Sequence, residues 1–79
     1  MRWVLSAFDK RTELISGETP LPGIDAPVLR QLFSRPDDDP MVLSYPLTPA
    51  VAARLMELLP GRLSIDLDRY DYFVEPDGG

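Results

Sequence analysis

The absence of both cysteine and histidine constrains this 79-residue chain more than any other feature of its sequence. A domain of this size buries only about 60–65% of the surface of its unfolded chain, and many small domains add disulfides or bound zinc for stability. Neither is available here, because a disulfide needs two cysteines and structural zinc sites use cysteine and histidine. The hydrophobic content of 44% is enough for a hydrophobic core. We therefore expect one domain over residues 1–79, with residues 76–79 as a frayed tail.

Two strands are predicted near the start of the chain. Residues 2–8 are largely apolar on both faces, which favours a central strand. The polar segment 9–12 suits a hairpin loop. Residues 13–18 predict a second, weaker strand, which Pro20 and Pro22 end because proline cannot donate a hydrogen bond to the sheet.

Two amphipathic helices follow, each with local start and stop signals. Asp25 is a good N-cap, and Pro36 ends the first helix after Arg35. Thr48 caps the second helix, and Pro60–Gly61 ends it. Each helix carries one apolar stripe, so we expect both to pack against the core.

A last strand is predicted from residue 63 onwards, where apolar and polar side chains alternate through residue 68. Beyond this segment the alternation changes phase, since Tyr70 and Tyr72 fall on the parity of the aspartates and Phe73 falls on the parity of the leucines. A one-residue bulge or a tight turn near residues 68–69 would reconcile the two halves.

These elements define an α+β fold in the order β-β-α-α-β, with two helices packed on one face of a small, about three-stranded sheet. The first strand is placed at the centre, and the order of the other strands is open. Residues 41–46 are bracketed by prolines and predict an extended connector that can include a short strand. The predicted core consists of Trp3, Leu5, Leu29, Leu32, Phe33, Leu55, Leu58, Leu59, Ile65 and Leu67.

Motifs for catalysis and cofactor binding are missing from the sequence. No histidine is present to activate a serine, and no glycine-rich loop is present to hold a phosphate. The acidic clusters Asp37–Asp39 and Asp66–Asp71 lack the glycine and the ligand spacing of a calcium loop. We therefore predict a protein that is not an enzyme and that uses no cofactor and no metal ion.

The charge of the chain is acidic and uneven. A net charge of −5 argues against nucleic-acid binding, which normally uses a basic surface. No apolar stretch reaches the length of a membrane span and no targeting segment is recognised, so we expect a cytoplasmic protein with no membrane partner. Residues 37–79 contain 3 basic and 9 acidic side chains, and residues 63–79 alone have a net charge of −4.

Acidic and aromatic residues are interleaved in the last segment of the chain. Carboxylates can steer a basic partner, and tyrosines can anchor it. The alternative is that these aromatics belong to the core and that the acids only keep the protein soluble. The acidic loop Asp37–Asp39 is a second candidate for the binding face. The predicted partner-binding residues are Asp66, Asp68, Tyr70, Asp71, Tyr72 and Glu75.

Several short motifs also resemble a known family. They are Ala7–Lys10, Leu21–Ile24, Asp39–Met41, Tyr45–Thr48 and, above all, Asp68–Phe73. In these motifs the chain resembles a small bacterial domain family of unknown function, whose members are short acidic proteins. Some similar small acidic proteins are immunity proteins that neutralise a co-encoded toxin, often a basic nuclease. The resemblance implies an interaction protein and assigns no functional residue.

We therefore expect a binding protein that occludes a basic macromolecular partner, such as a toxin in an immunity pair. The alternative is a self-associating structural or regulatory module that forms a homodimer by pairing edge strands.

Overall fold

The computed structural model describes residues 2–77 of the chain. The elements are β1 (Trp3–Asp9), β2 (Ile15–Pro20), α1 (Ala26–Leu32), β3 (Tyr45–Pro46), α2 (Pro49–Leu58) and β4 (Tyr70–Pro76). The four strands form one antiparallel sheet in the order β2-β1-β4-β3. The predicted α+β class is confirmed, and the first strand is internal as expected.

The sheet has four strands where about three were predicted, because the connector between the helices contributes β3. This strand has only two residues, Tyr45 and Pro46, which pair with Val74 and Phe73. Two residues are too few to show an alternating pattern, so the sequence predicts only an extended connector that can include a short strand. The element order is therefore β-β-α-β-α-β.

The core lies between one face of the sheet and the two helices. Leu29 of α1 and Leu55 of α2 are fully buried there. Most of the predicted core is confirmed, but Leu58 is 45% exposed at the end of α2 and lies outside it. Buried residues absent from the predicted core are Leu21, Ile24, Met41, Tyr45, Leu47, Val51, Ala52, Tyr72 and Val74.

Both predicted helix caps are confirmed. The side chain of Asp25 accepts a hydrogen bond from the Val28 N–H at 3.2 Å, and Thr48 accepts one from the Val51 N–H at the same distance. The first helix nevertheless ends at Leu32, three residues earlier than predicted. The reason is that Ser34 adopts a left-handed conformation with φ 54°, which stops the helix. Neither helix of residues 2–77 has the length and apolar character needed to cross a membrane.

The predicted last strand begins too early, because residues 63–68 do not belong to it. Leu63, Ile65 and Leu67 are half-buried against the core while the residues between them are exposed, but the segment pairs with no strand among residues 2–77. The alternation therefore predicts correctly which of these side chains are buried, but it does not show that the backbone pairs with a strand. A turn near residues 68–69 is present, and β4 begins only after it, at Tyr70.

Two other strand boundaries also differ from the prediction. β2 extends to Pro20 and begins at Ile15, so it lies two residues further along the chain than expected. The predicted tail also begins too early, because Pro76 belongs to β4 and the Asp77 N–H donates a hydrogen bond to the Arg2 carbonyl at 2.8 Å. Residues 78–79 of that predicted tail lie outside the described residues.

Candidate interaction surface

The two faces of the sheet are different. Trp3, Leu5, Tyr72 and Val74 point towards the helices and belong to the core. Side chains alternate between the faces of a strand, so the register of the ladders defines the opposite face. We call this the open face, because neither helix of residues 2–77 packs on it. It consists of Val4, Ser6 and Phe8 of β1, Ile15, Glu18 and Pro20 of β2, Pro46 of β3, and Asp71, Phe73 and Glu75 of β4.

The centre of the open face is apolar. Phe8 and Phe73 form an edge-to-face pair, with ring centroids 5.7 Å apart and an interplanar angle of 82°. Both rings are half-buried. Val4 and Ser6 beside them are buried although neither belongs to the core cluster. Val4 and Ser6 are therefore covered by their neighbours, and only the two phenyl rings are partly accessible at this centre.

Three carboxylates surround this apolar centre. Asp71 lies 3.7 Å from the ammonium of Lys10, but both side chains are about half-exposed, so this ion pair is weak. Glu18 accepts a long hydrogen bond of 3.4 Å from the Ser6 hydroxyl. Within residues 2–77, neither Glu18 nor Glu75 forms an ion pair. The open face therefore presents negative charge that the domain itself leaves largely uncompensated.

The predicted binding residues are divided between the two faces. Asp71 and Glu75 lie on the open face, whereas Tyr70 and Tyr72 lie on the helix-covered face. Tyr72 is only 6% exposed, and its hydroxyl accepts a hydrogen bond from the Asp66 N–H at 3.0 Å. The expected solvent-facing parity of the tyrosines is therefore wrong. An alternation that starts at residue 63 predicts the wrong face, because the strand begins only at Tyr70, after a turn.

Asp66 and Asp68 lie in the turn before β4 and not on the sheet. The Asp66 carboxylate accepts a hydrogen bond from the Asp68 N–H at 3.1 Å, and both residues are exposed. Positively charged side chains also lie at this end of the domain, so its charge is mixed. A surface depression of about 320 Å³ is lined there by Asp9, Lys10, Arg11, Asp68 and Arg69.

Asp9 closes the loop between β1 and β2 at this mixed end. Its carboxylate accepts hydrogen bonds from the N–H groups of Arg11 at 2.8 Å and Thr12 at 3.3 Å. The Arg11 N–H is the main reason that the pKa of Asp9 lies below its usual value. This aspartate therefore shapes the loop and remains charged at neutral pH.

The second candidate face, Asp37–Asp39, is divided in the same way. Asp37 and Asp38 are exposed, but the Asp39 side chain is only 10% exposed. Asp39 accepts hydrogen bonds from the Met41 N–H at 2.8 Å, from Arg35 Nε at 2.6 Å and from the Tyr45 hydroxyl at 3.2 Å. The Met41 N–H and then the Arg35 guanidinium hold the pKa of Asp39 below its usual value. Asp39 thus stabilises the loop between α1 and β3.

Three residues of the open face, Phe8, Phe73 and Glu18, are absent from the site predicted from the sequence. The sequence contains one indication of this surface. Residues 2–8 are apolar on both faces, and two helices can cover only one face of a small sheet, so part of the other apolar face is expected to be accessible. Among residues 2–77 no group of three or more carboxylates could hold a metal ion. That the protein needs no metal or cofactor stays a prediction.

These features define a small α+β domain with one helix-covered sheet face and one open, acidic sheet face. The model of the family described as domain of unknown function DUF7683 matches residues 2–75, and the chain belongs to this family. The predicted resemblance to a domain family of unknown function is thereby confirmed. No curated protein and no solved structure matches the chain. The description of the family gives no function, so the similarity to immunity proteins stays a prediction.

Proposed function

We propose that this protein is a binding protein, not an enzyme, and that it captures a basic protein partner through its open face. One observation carries the proposal: Glu18, Asp71 and Glu75 surround the half-buried pair of Phe8 and Phe73 on a sheet face that no helix of residues 2–77 covers. An apolar centre with a polar rim is typical of protein interfaces.

The charge of this surface suits the first stage of binding. Carboxylates that lack a cation attract a basic partner over about 10 Å at moderate salt and raise the association rate. Phe8 and Phe73 suit the second stage, because partly exposed aromatic rings at the centre of an interface often contribute most of the binding energy. A toxin in an immunity pair is the partner class that we propose from the resemblance described above.

The size of the open face indicates that it is only part of the interface. Four strands of up to seven residues, about 4.8 Å apart with a rise of about 3.3 Å per residue, give a face of about 400 Å². A stable protein interface buries about 800 Å² on each partner. The partner therefore also contacts surface beyond the open face.

Affinity capture with matched baits tests this proposal. The baits are the wild-type protein, an Asp71→Lys/Glu75→Lys double variant, and an Asp37→Lys/Asp38→Lys control with the same change in charge outside the open face. We expect the wild type and the control to retain the same basic protein from a lysate of the source organism, and the double variant to lose it. Identical retention by all three folded baits would contradict a role for the open face.

A homodimer formed by edge-strand pairing is the second candidate function. It is favoured by β2, an edge strand of six residues that is exposed along its whole length. The net charge of −5 opposes it, because two copies repel each other. Sedimentation equilibrium at low and high salt separates the candidates: we expect a monomer at both, and a dimer at high salt would favour self-association.

A further inference from the structure

The two edges of the sheet differ in what they offer to another chain. The β3 edge has only two residues, and one of them is Pro46, which has no N–H. The β2 edge has six residues, all exposed. Ile15, at its start, is 54% exposed, and Leu14, just before the strand, is 69% exposed. Only β2 is long enough to pair with an added strand.

The register identifies the backbone groups that β2 presents to solvent. The Leu21 N–H donates to the Trp3 carbonyl at 3.1 Å, so this pair is hydrogen-bonded. Hydrogen-bonded and non-bonded pairs alternate along an antiparallel ladder. Thr19, opposite Leu5, is therefore bonded to β1.

By the same alternation, Glu18 and Pro20 occupy the non-bonded positions. Glu18 lies opposite Ser6 and directs both its N–H and its carbonyl away from β1. Pro20, opposite Val4, also directs its backbone nitrogen away from β1. The missing N–H of proline therefore removes no hydrogen bond from the ladder between β1 and β2. Glu18 thus offers a donor and an acceptor at the middle of the free edge.

We propose that β2 accepts an extended segment of the partner as a fifth strand, with a lysine or arginine across from Glu18. This inference rests on the proposed function and specifies the additional contact that the small open face requires. The Glu18 carboxylate lies on the open face and forms no ion pair within residues 2–77. A cation on the added strand would neutralise it, whereas a second copy of this acidic chain would add like charge.

The side-chain pattern of the added strand follows from its neighbours. A β-bulge interrupts the pairing of β1 and β2 between Ala7 and Phe8, and Pro20 ends the strand, so regular pairing is centred on Glu18. On the open face, Ile15 and Pro20 flank Glu18. The segment that fits therefore has a basic residue with an apolar residue two positions away on each side.

Two synthetic peptides test the inference directly. The first is acetyl-Thr-Val-Thr-Lys-Thr-Val-Thr-amide, and its matched control has glutamate in place of lysine. In a titration of the ¹⁵N-labelled protein we expect the lysine peptide to shift the amide signals of Ile15 and Glu18 and to slow exchange of the Glu18 N–H. We expect the glutamate peptide to bind about fivefold or more weakly, the effect of a cross-strand charge pair of about 1 kcal/mol.

Variants of Glu18 separate the backbone contribution from the charge. Glu18→Ala removes the carboxylate and keeps the N–H, so we expect binding of the lysine peptide to weaken about fivefold. Glu18→Pro removes both the carboxylate and the backbone N–H, so we expect no detectable binding of the lysine peptide. The substitution keeps the hydrogen bonds between β1 and β2, because the Glu18 N–H is not one of their donors. If Glu18→Pro does not fold, the lysine peptide can instead be methylated on the backbone nitrogen of its lysine. This change removes the hydrogen bond to the Glu18 carbonyl without altering the protein, and we expect the same loss of binding.

The outcomes distinguish this inference from the proposed function. Signal changes confined to Asp71, Phe73 and Glu75 would overturn the edge-strand inference and leave the open face as the binding surface. Equal binding of the lysine and glutamate peptides at β2 would overturn the requirement for a basic residue. Dimerisation of the protein through β2, detected by sedimentation and lost in Glu18→Pro, would assign this edge to a second copy and overturn the inference.

Discussion

The side chains of Arg35 and Asp39 form a hydrogen-bonded ion pair, with 2.6 Å between Nε and Oδ2, outside either helix. The other oxygen of Asp39 accepts hydrogen bonds from the Met41 N–H and the Tyr45 hydroxyl. Met41 is completely buried and has a left-handed backbone with φ 57°, so this carboxylate positions a strained residue of the core. The Asp39 carboxylate thus links Arg35, which follows α1, to Tyr45 of β3.

Asp39 predicts a specific dependence of stability on pH. Its pKa is lower in the folded protein than in the unfolded chain, mainly because of the Met41 N–H and then Arg35. The ionised form therefore stabilises the fold above the unfolded pKa of about 3.9, and this contribution is lost as the pH falls through the folded pKa. We expect Asp39→Asn to lower the free energy of unfolding at pH 7 and to flatten its decrease between about pH 5 and pH 2.

Urea denaturation over this pH range measures the effect, and the exposed neighbour Asp37 provides the control. Asp37→Asn should leave both the stability at pH 7 and its dependence on pH close to those of the wild type. Parallel pH profiles for Asp39→Asn and the wild type would show that Asp39 does not stabilise the loop.

Leu55 should be among the most sensitive positions of the core. Its side chain is fully buried between α2 and the sheet. We expect Leu55→Ala to reduce the free energy of unfolding by about 2–5 kcal/mol. Leu58→Ala, on the same helix but at a half-exposed site, should cost less than about 1 kcal/mol. Chemical denaturation checks both, and equal losses would contradict the assignment of the buried face of α2.

Tyr72 should affect stability and not partner contact. Its hydroxyl accepts the Asp66 N–H, and its ring is buried. We expect Tyr72→Phe to cost about 1–2 kcal/mol by leaving that N–H without its acceptor, and Tyr72→Ala to cost about 3–5 kcal/mol. Thermal or urea unfolding measures both losses. A Tyr72→Ala variant as stable as the wild type would place this ring outside the core.

Charge reversal on the open face should slow association with the partner. Once the partner is captured, we expect Glu75→Lys to lower the association rate several-fold at about 50 mM salt and to have little effect at about 300 mM, because salt screens the interaction. Stopped-flow kinetics measures the rates, with the exposed Asp37→Lys as the control. An association rate that does not change with salt would argue against electrostatic steering.

Phe73 should instead govern dissociation. It lies at the centre of the open face, against Phe8. We expect Phe73→Ala to accelerate dissociation about 30-fold, corresponding to about 2 kcal/mol. Leu43→Ala, at an exposed apolar residue before β3, should dissociate like the wild type. Surface plasmon resonance on folded variants makes the comparison, and equal rates for both variants would exclude Phe73 as an anchor.

The helices were predictable because their signals are local. Asp25 and Thr48 cap the two helices as expected, since an N-cap needs only a side-chain oxygen within three residues of the N–H that it accepts. The internal position of β1 was predictable from its two apolar faces. The end of α1 was not, because Ser34 adopts its left-handed backbone where the chain turns towards Asp39 and the buried Met41.

The sequence by itself therefore determined the fold class, the two helices, the internal first strand and the excess of acidic side chains in residues 37–79. The tertiary structure decided which face each residue of β4 occupies. Because side chains alternate at every residue, the starting point of a strand decides the face of each of its residues, and that starting point is the turn at residues 67–69. Ladder pairing with β1 then buries Tyr72 and brings Asp71, Phe73 and Glu75 together with Glu18, which lies more than fifty residues earlier in the sequence. No local pattern encodes that proximity, because it arises from the pairing of β1 with strands from both ends of the chain.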